Sequence, residues 1–158
     1  MGLQTQVYTA VAEGMPGMPA VTIENHYSAM QKVSGSKVYA GKFVFVNATN
    51  PNTTVDPANA GSQAVDGLVM GGLVNVGATG LGIEAGQTLT VMQRGKMWVK
   101  TEGAATVGQA IYAKDTDGTP SAQATAPEKG YTATTFKVVY VASSAASGSL
   151  VVISNQNA

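Results

Sequence analysis

Apolar positions in this chain come in short runs separated by turn residues. Residues 37–47 (KVYAGKFVFVN), 67–76, 87–93, 96–101, 109–114, 134–142 and 149–154 each carry an alternating or continuous apolar run of strand length, bounded by Gly, Pro, Asn, Asp or Ser. The spacing of these runs predicts a mainly β chain, a compact β-sandwich or β-barrel. Residue choice within the runs agrees: 20 Val stand against 6 Leu, with 19 Gly and 6 Pro spread throughout, where helices would favour the reverse. One segment has a helical rhythm, Ile23, Tyr27 and Met30 falling at i, i+4 and i+7, and it predicts a short helix or a turn over 23–30.

Two stretches break the pattern. Residues 1–20 hold Gly14, Pro16, Gly17 and Pro19 around Met15 and Met18, which rules out a regular element, yet Leu3, Val7, Tyr8 and Val11 make them too apolar for a solvated tail. They read as an extended N-terminal arm that needs a surface to lie on, ahead of a single β domain over 21–158. Residues 48–62 (ATNPNTTVDPANAGS) carry Pro51, Pro57, Asn50, Asn52 and Asn59 and predict an exposed loop.

The run 86–101 (GQTLTVMQRGKMWVKT) predicts a hairpin turning at Arg94-Gly95 and bearing the chain's one Trp. In that register Met92 faces Met97, Val91 faces Trp98 and Thr90 faces Val99, so one face carries Leu89, Val91 and Trp98 and the other Met92, Met97 and Val99. Both faces are apolar and need two covers. Either the pair is central in a sandwich, or its second face is buried against another chain with Arg94, Lys96 and Lys100 as a polar rim.

Composition narrows the classes of function. Charged residues are only 11% of the chain and balance to a net charge of zero, with a pI near 6.5. No stretch concentrates Lys or Arg, which argues against nucleic acid as a partner. Without Cys there is neither a disulfide framework nor a thiolate metal site, and one His does not make a metal cluster; no metal or cofactor is expected. No run approaches the roughly 18 apolar residues of a membrane span, and the start MGLQTQVYTAVAEG lacks the basic and apolar regions of a signal peptide, so no membrane partner and no secretion are expected.

The candidate motifs read as structure. GATGLG at 77–82 lacks the GxGxxG spacing and the Lys-Ser/Thr of a phosphate loop, and DTDG at 115–118 lacks the Glu of a calcium loop; both predict turns. The sequons at Asn47 and Asn52 have no meaning without a secretory route. His26, beside Glu24, has no Cys and no GxSxG elbow to serve, and the acids are scattered singly, so no catalytic residue is assigned and the chain is not expected to be an enzyme.

The order KVYAGKFVFVN, DGLVMGGLV, EAGQTLTVMQRGKMWVKTEGAATVGQAIYAKDTDGTPSA and GSLVVISN, with the start GMPGMPA and the repeated Gly-Gln entries AGQTLTV and VGQAIYA, resembles the structural cement, or capsid decoration, proteins of tailed bacteriophages. The resemblance covers nearly the whole chain. It implies a compact β domain on the outside of the virion head, commonly a homotrimer, that clamps neighbouring copies of the major capsid protein with help from an N-terminal arm. On that reading the interface residues are Leu3, Val7, Tyr8, Met15, Pro16, Met18 and Pro19 from the arm and Met92, Arg94, Met97 and Trp98 from the hairpin. A protein that binds only the assembled lattice stabilises it by mass action, and zero net charge limits repulsion among crowded copies. The alternative from the residues alone is a β-rich adhesin or fibre module of a virion or cell surface.

Overall fold

The computed structural model of the chain describes residues 14–20, 27–71, 76–77 and 80–156. Every regular element among them is a strand: β1 (Ser28–Ser34), β2 (Val38–Tyr39), β3 (Phe43–Val46), β4 (Thr54–Asp56), β5 (Val65–Val69), β6 (Val76–Gly77), β7 (Gly80–Ile83), β8 (Thr88–Arg94), β9 (Lys96–Lys100), β10 (Ala110–Lys114), β11 (Pro120–Gln123), β12 (Tyr131–Ser143) and β13 (Leu150–Ser154). Strands β1-β4-β3-β5-β8 close into a barrel, antiparallel except for the parallel pair β1 and β4. A second, five-stranded antiparallel sheet runs in the order β11-β10-β12-β13-β9, and β2-β7-β6 form a small third sheet.

Apolar residues on both faces of the barrel strands build two cores. Within β3, the Val44 side chain joins Val38, Val55, Val69, Ile83, Leu89 and Val91 in the barrel interior. Its neighbours Phe43 and Phe45 point the other way and pack with Leu68 and Met92 against Met97, Val99, Ile111, Phe136, Val138, Val151 and Ile153 of the five-stranded sheet. A five-stranded barrel is narrow, so β-branched side chains fill it, and the wider space between the layers takes the Phe and Met side chains. Phe43 meets Phe136 edge-on across that space, centroids 5.6 Å apart. Each large side chain so buried stabilises by about 1.5–3 kcal/mol, which fastens barrel and sheet to one another.

The predicted hairpin at Arg94-Gly95 does not form. β8 pairs with β1 and β5 in the barrel, whereas β9 pairs with β13 in the sheet, opposing Met97 to Ile153, Trp98 to Val152 and Val99 to Val151. The facing pairs Met92–Met97, Val91–Trp98 and Thr90–Val99 are absent. Gly95 carries the chain from one layer to the next at φ 148°, with Tyr27 and the Met92 sulfur where a side chain would stand. A turn signal between two apolar runs marks a change of direction, and here the new direction belongs to another sheet.

Other expectations shift less. The run 37–47 is two strands, β2 and β3, and the run 67–76 begins earlier as β5. The loop 48–62 is not wholly exposed: it dips into the barrel as β4, with Val55 fully buried between β1 and β3. The helical rhythm over 23–30 gives way to strand from Ser28 onward, because Ala29 to Val33 pair with β8; residues 23–26, His26 included, lie outside the described residues. The DTDG stretch is a turn, Gly118 N–H donating to the Lys114 carbonyl at 2.8 Å, and Gly77 pairs with Gly80 where the chain reverses at GATGLG.

Candidate docking surface

The second cover required by β9 comes from the chain itself. Met97 and Val99 face the inter-layer core, which leaves Trp98 on the outer side with Ala20 and Val152, flanked by Val139, Tyr140, Ala142 and Leu150. The indole meets the Tyr140 ring edge-on at 5.8 Å. Residues 14–20 lie antiparallel along the free edge of β9: Gly17 N–H donates to the Trp98 carbonyl at 2.9 Å, Trp98 N–H to the Met18 carbonyl at 3.0 Å and Ala20 N–H to the Lys96 carbonyl at 3.0 Å. Under this strap Trp98 is 4% exposed. Gly71 N–H donates to the Gly17 carbonyl at 2.7 Å, which ties the strap to the end of β5.

The strap turns two methionines outward. Pro16 and Pro19 prevent helix, a Met18 N–H bond to the Met15 carbonyl at 3.0 Å tightens the turn between them, and Met15 and Met18 stand 57% and 45% exposed. Next to Gly71, Met70 lines a groove of about 370 Å³ with Tyr27, Gln31, Ile83, Thr88, Leu89 and Thr90. Tyr27 and Met30 are about half exposed. Met70 in the groove and the exposed Met15 and Met18 on the adjoining strap are flexible, polarizable side chains that suit a surface that has to fit a partner.

The residues singled out from sequence divide accordingly. Leu3, Val7 and Tyr8 lie outside the described residues. Met15 and Met18 are exposed, Pro16 and Pro19 half-buried in the strap, and Arg94 is exposed at the end of β8. Met92 and Met97 are fully buried between the layers, and with Trp98 they support the surface from beneath. Tyr27 and Met30, both about half exposed, were not among those singled out. Their signal was concealed because β1 inverts the usual rule, hiding Lys32 and Ser34 and exposing Met30 and Val33.

That inversion buries a charge in the barrel, where it is paired. Lys32 pairs in register with Leu89 and shares its inward face; its Nζ donates to the Asn52 carbonyl at 2.9 Å and lies 3.7 Å from Asp66 Oδ1. Elsewhere charges are spent within the domain. Lys114 Nζ reaches Glu102 Oε1 at 2.5 Å and Tyr131 donates to Glu102 Oε2 at 2.8 Å, and these bonds hold Glu102 below the usual carboxylate range. Burial raises the pKa of Asp117, but hydrogen bonds from Lys42 and Thr119 outweigh it and leave the group lowered. Lys37 pairs with Glu84 at 2.7 Å. Among the described residues no cluster of three metal-ligating side chains occurs, and no helix is long and apolar enough to cross a membrane.

Strands throughout, two fused layers, paired charges and a methionine-bearing face describe a structural β protein that works through its surface. The family model for the structural cement protein (E217 gp24/Pam3 gp6) matches residues 3–155, and the chain belongs to that family. The family implies a structural, non-catalytic role in a bacteriophage capsid. A search of curated proteins found no match. Among solved structures, a chain from the capsid of Myoviridae phage XM1 shares the fold with a TM-score of 0.64 at 19% identity, covering 99% of each chain.

Proposed function

We propose that this protein docks on the outer surface of an assembled phage head and holds neighbouring major capsid subunits together, acting there as a homotrimer. The observation that carries the reading is the pair Met15 and Met18, fixed in an exposed position by a strap bonded to the edge of a rigid sheet. Anchoring them to the domain cuts the ordering cost that a free segment would incur on binding, about 1–2 kcal/mol per residue. The groove beside Met70 and Tyr27 adjoins the strap, since Gly71 both lines it and bonds Gly17. Internal pairing of Lys32, Lys37, Lys42 and Lys114 leaves little charge to repel adjacent copies. The family membership supports the partner and the virion location.

The test is binding to heads that lack the protein. Purified protein added to undecorated heads is expected to co-sediment with them, to appear as extra density on their outer surface, and to raise the temperature at which they release DNA. Binding to unassembled capsid subunits with equal affinity would overturn the lattice-stabilising role. A monomer of 16.0 kDa both in solution and on the head would overturn the trimer.

A further inference from the structure

The strap is fitted to its seat more closely than covering a sheet edge demands. A Cβ built on Gly14 would lie 2.2 Å from Trp98 Cδ1 and 2.3 Å from its Nε1, and the indole cannot retreat because Val152 and the Tyr140 ring pack behind it. Gly17 sits at φ 90°, with Ala40 and the backbone of Gly41 and Gly71 where a side chain would go. Beneath the strap, β9 is a five-residue strand with an apolar centre that stands last in its sheet, so that among the described residues no other strand pairs with its outer edge. Such an edge, once bare, is a template for another chain.

We propose that the β9 edge and the Trp98 indole form a strand-accepting site specific for the segment Gly14–Ala20, filled in cis in the folded protein and able to take the same segment from a second copy when emptied. The ligand is a peptide that makes the turn seen between Met15 and Met18, with glycine at the position over the indole, glycine again three residues on, and Pro-Ala at its end. A second copy is the occupant that fits, since it carries that sequence by definition. Closure in cis is favoured while the strap is intact: the strap ends on Lys96, and the chain re-enters at Tyr27, which lies against Gly95, so both ends of the connection meet neighbouring residues of one strand junction. This inference stands apart from the capsid role and needs no head to test.

The experiment uses the full-length chain with Gly14→Val and the free peptide GMPGMPA. In the variant, Trp98 emission is expected to shift to the red and become open to a soluble quencher while far-UV circular dichroism stays β. Added peptide should return the emission saturably, and a peptide with Val at its first position should bind at least ~tenfold more weakly. The wild-type chain should ignore the peptide. Trp98 still shielded in the variant, an exposed Trp98 that the peptide leaves unchanged, or equal binding by wild type would each overturn the proposal. If the variant does not fold, hydrogen exchange on the wild type decides: Gly17, Ala20 and Trp98 amides should exchange together and well ahead of Val152, and protection equal to that of Val152 would overturn the proposal.

Discussion

Replacing Met15 and Met18 together by Ser tests the docking surface most directly. Fully burying a Met side chain is worth about 1.5–3 kcal/mol, and at 57% and 45% exposure roughly half of each is still available to a partner. The pair should therefore contribute about 1.5–3 kcal/mol to docking, or about ten- to a hundredfold in Kd. Neither side chain belongs to a core cluster, so thermal stability of the free protein should move by no more than about 0.5 kcal/mol, and Trp98 should stay shielded. Co-sedimentation of labelled protein with undecorated heads, titrated over three decades, reads the affinity, and emission of the single Trp reads the strap in the same samples. A double variant that binds heads within about threefold of wild type while Trp98 remains shielded would refute the assignment. Loss of affinity with an exposed Trp98 would mean that the strap itself had been displaced.

Three further outcomes follow from the interior. Phe43→Ala should cost about 3–5 kcal/mol in urea unfolding and keep one transition, because Phe43 joins barrel and sheet; two separated transitions would show that the layers fold independently. Lys32→Met should cost about 3–5 kcal/mol by stranding buried Asp66, and Lys32→Met with Asp66→Asn should recover a large part of that loss in a double-mutant cycle. Glu102 and Asp117 are held below their ordinary pKa values of 4.5 and 3.8, so their contribution is complete above about those values and is lost as pH falls through the folded ones; Glu102→Gln should flatten the loss of thermal stability below pH 4.5.

Sequence pattern revealed strands where apolar runs were long, as in β8, β9, β10, β12 and β13, because burial on both faces leaves a continuous apolar run and burial on one face an alternating one. It failed where burial is polar or pairing is remote. β1 hides a lysine, β4 is three residues inside a Pro- and Asn-rich loop, and β11 begins at a proline; none has an apolar alternation to read. The hairpin expectation failed because nothing local in QRGKM distinguishes a turn within a sheet from a passage between sheets. That choice is made by β1 and β13, far away in sequence. The doubly apolar β8 and β9 were legible, and so was the need for two covers. What covers them was not: barrel interior and inter-layer core for β8, inter-layer core and strap for β9. Met15 and Met18 were legible as unplaced apolar residues in a segment that Pro16 and Pro19 keep out of regular structure.

The passage at Gly95 also sets a timetable. β1 finds its antiparallel partner only in β8, some sixty residues later, so the barrel stays open on the ribosome until Arg94 has emerged. β9 follows at once, but its partner within the sheet is β13, and Met97, Trp98 and Val99 must wait for residues 150–154 before their ladder forms. Pairings so distant make for slow folding and a nascent chain that exposes adhesive strands while it is being synthesised. In that interval the strap is already available, synthesised some eighty residues ahead of β9, and can lie along the new strand as soon as it appears. The chain thus carries its own lasting partner for one edge of its most vulnerable strand and leaves only the other edge to wait for β13.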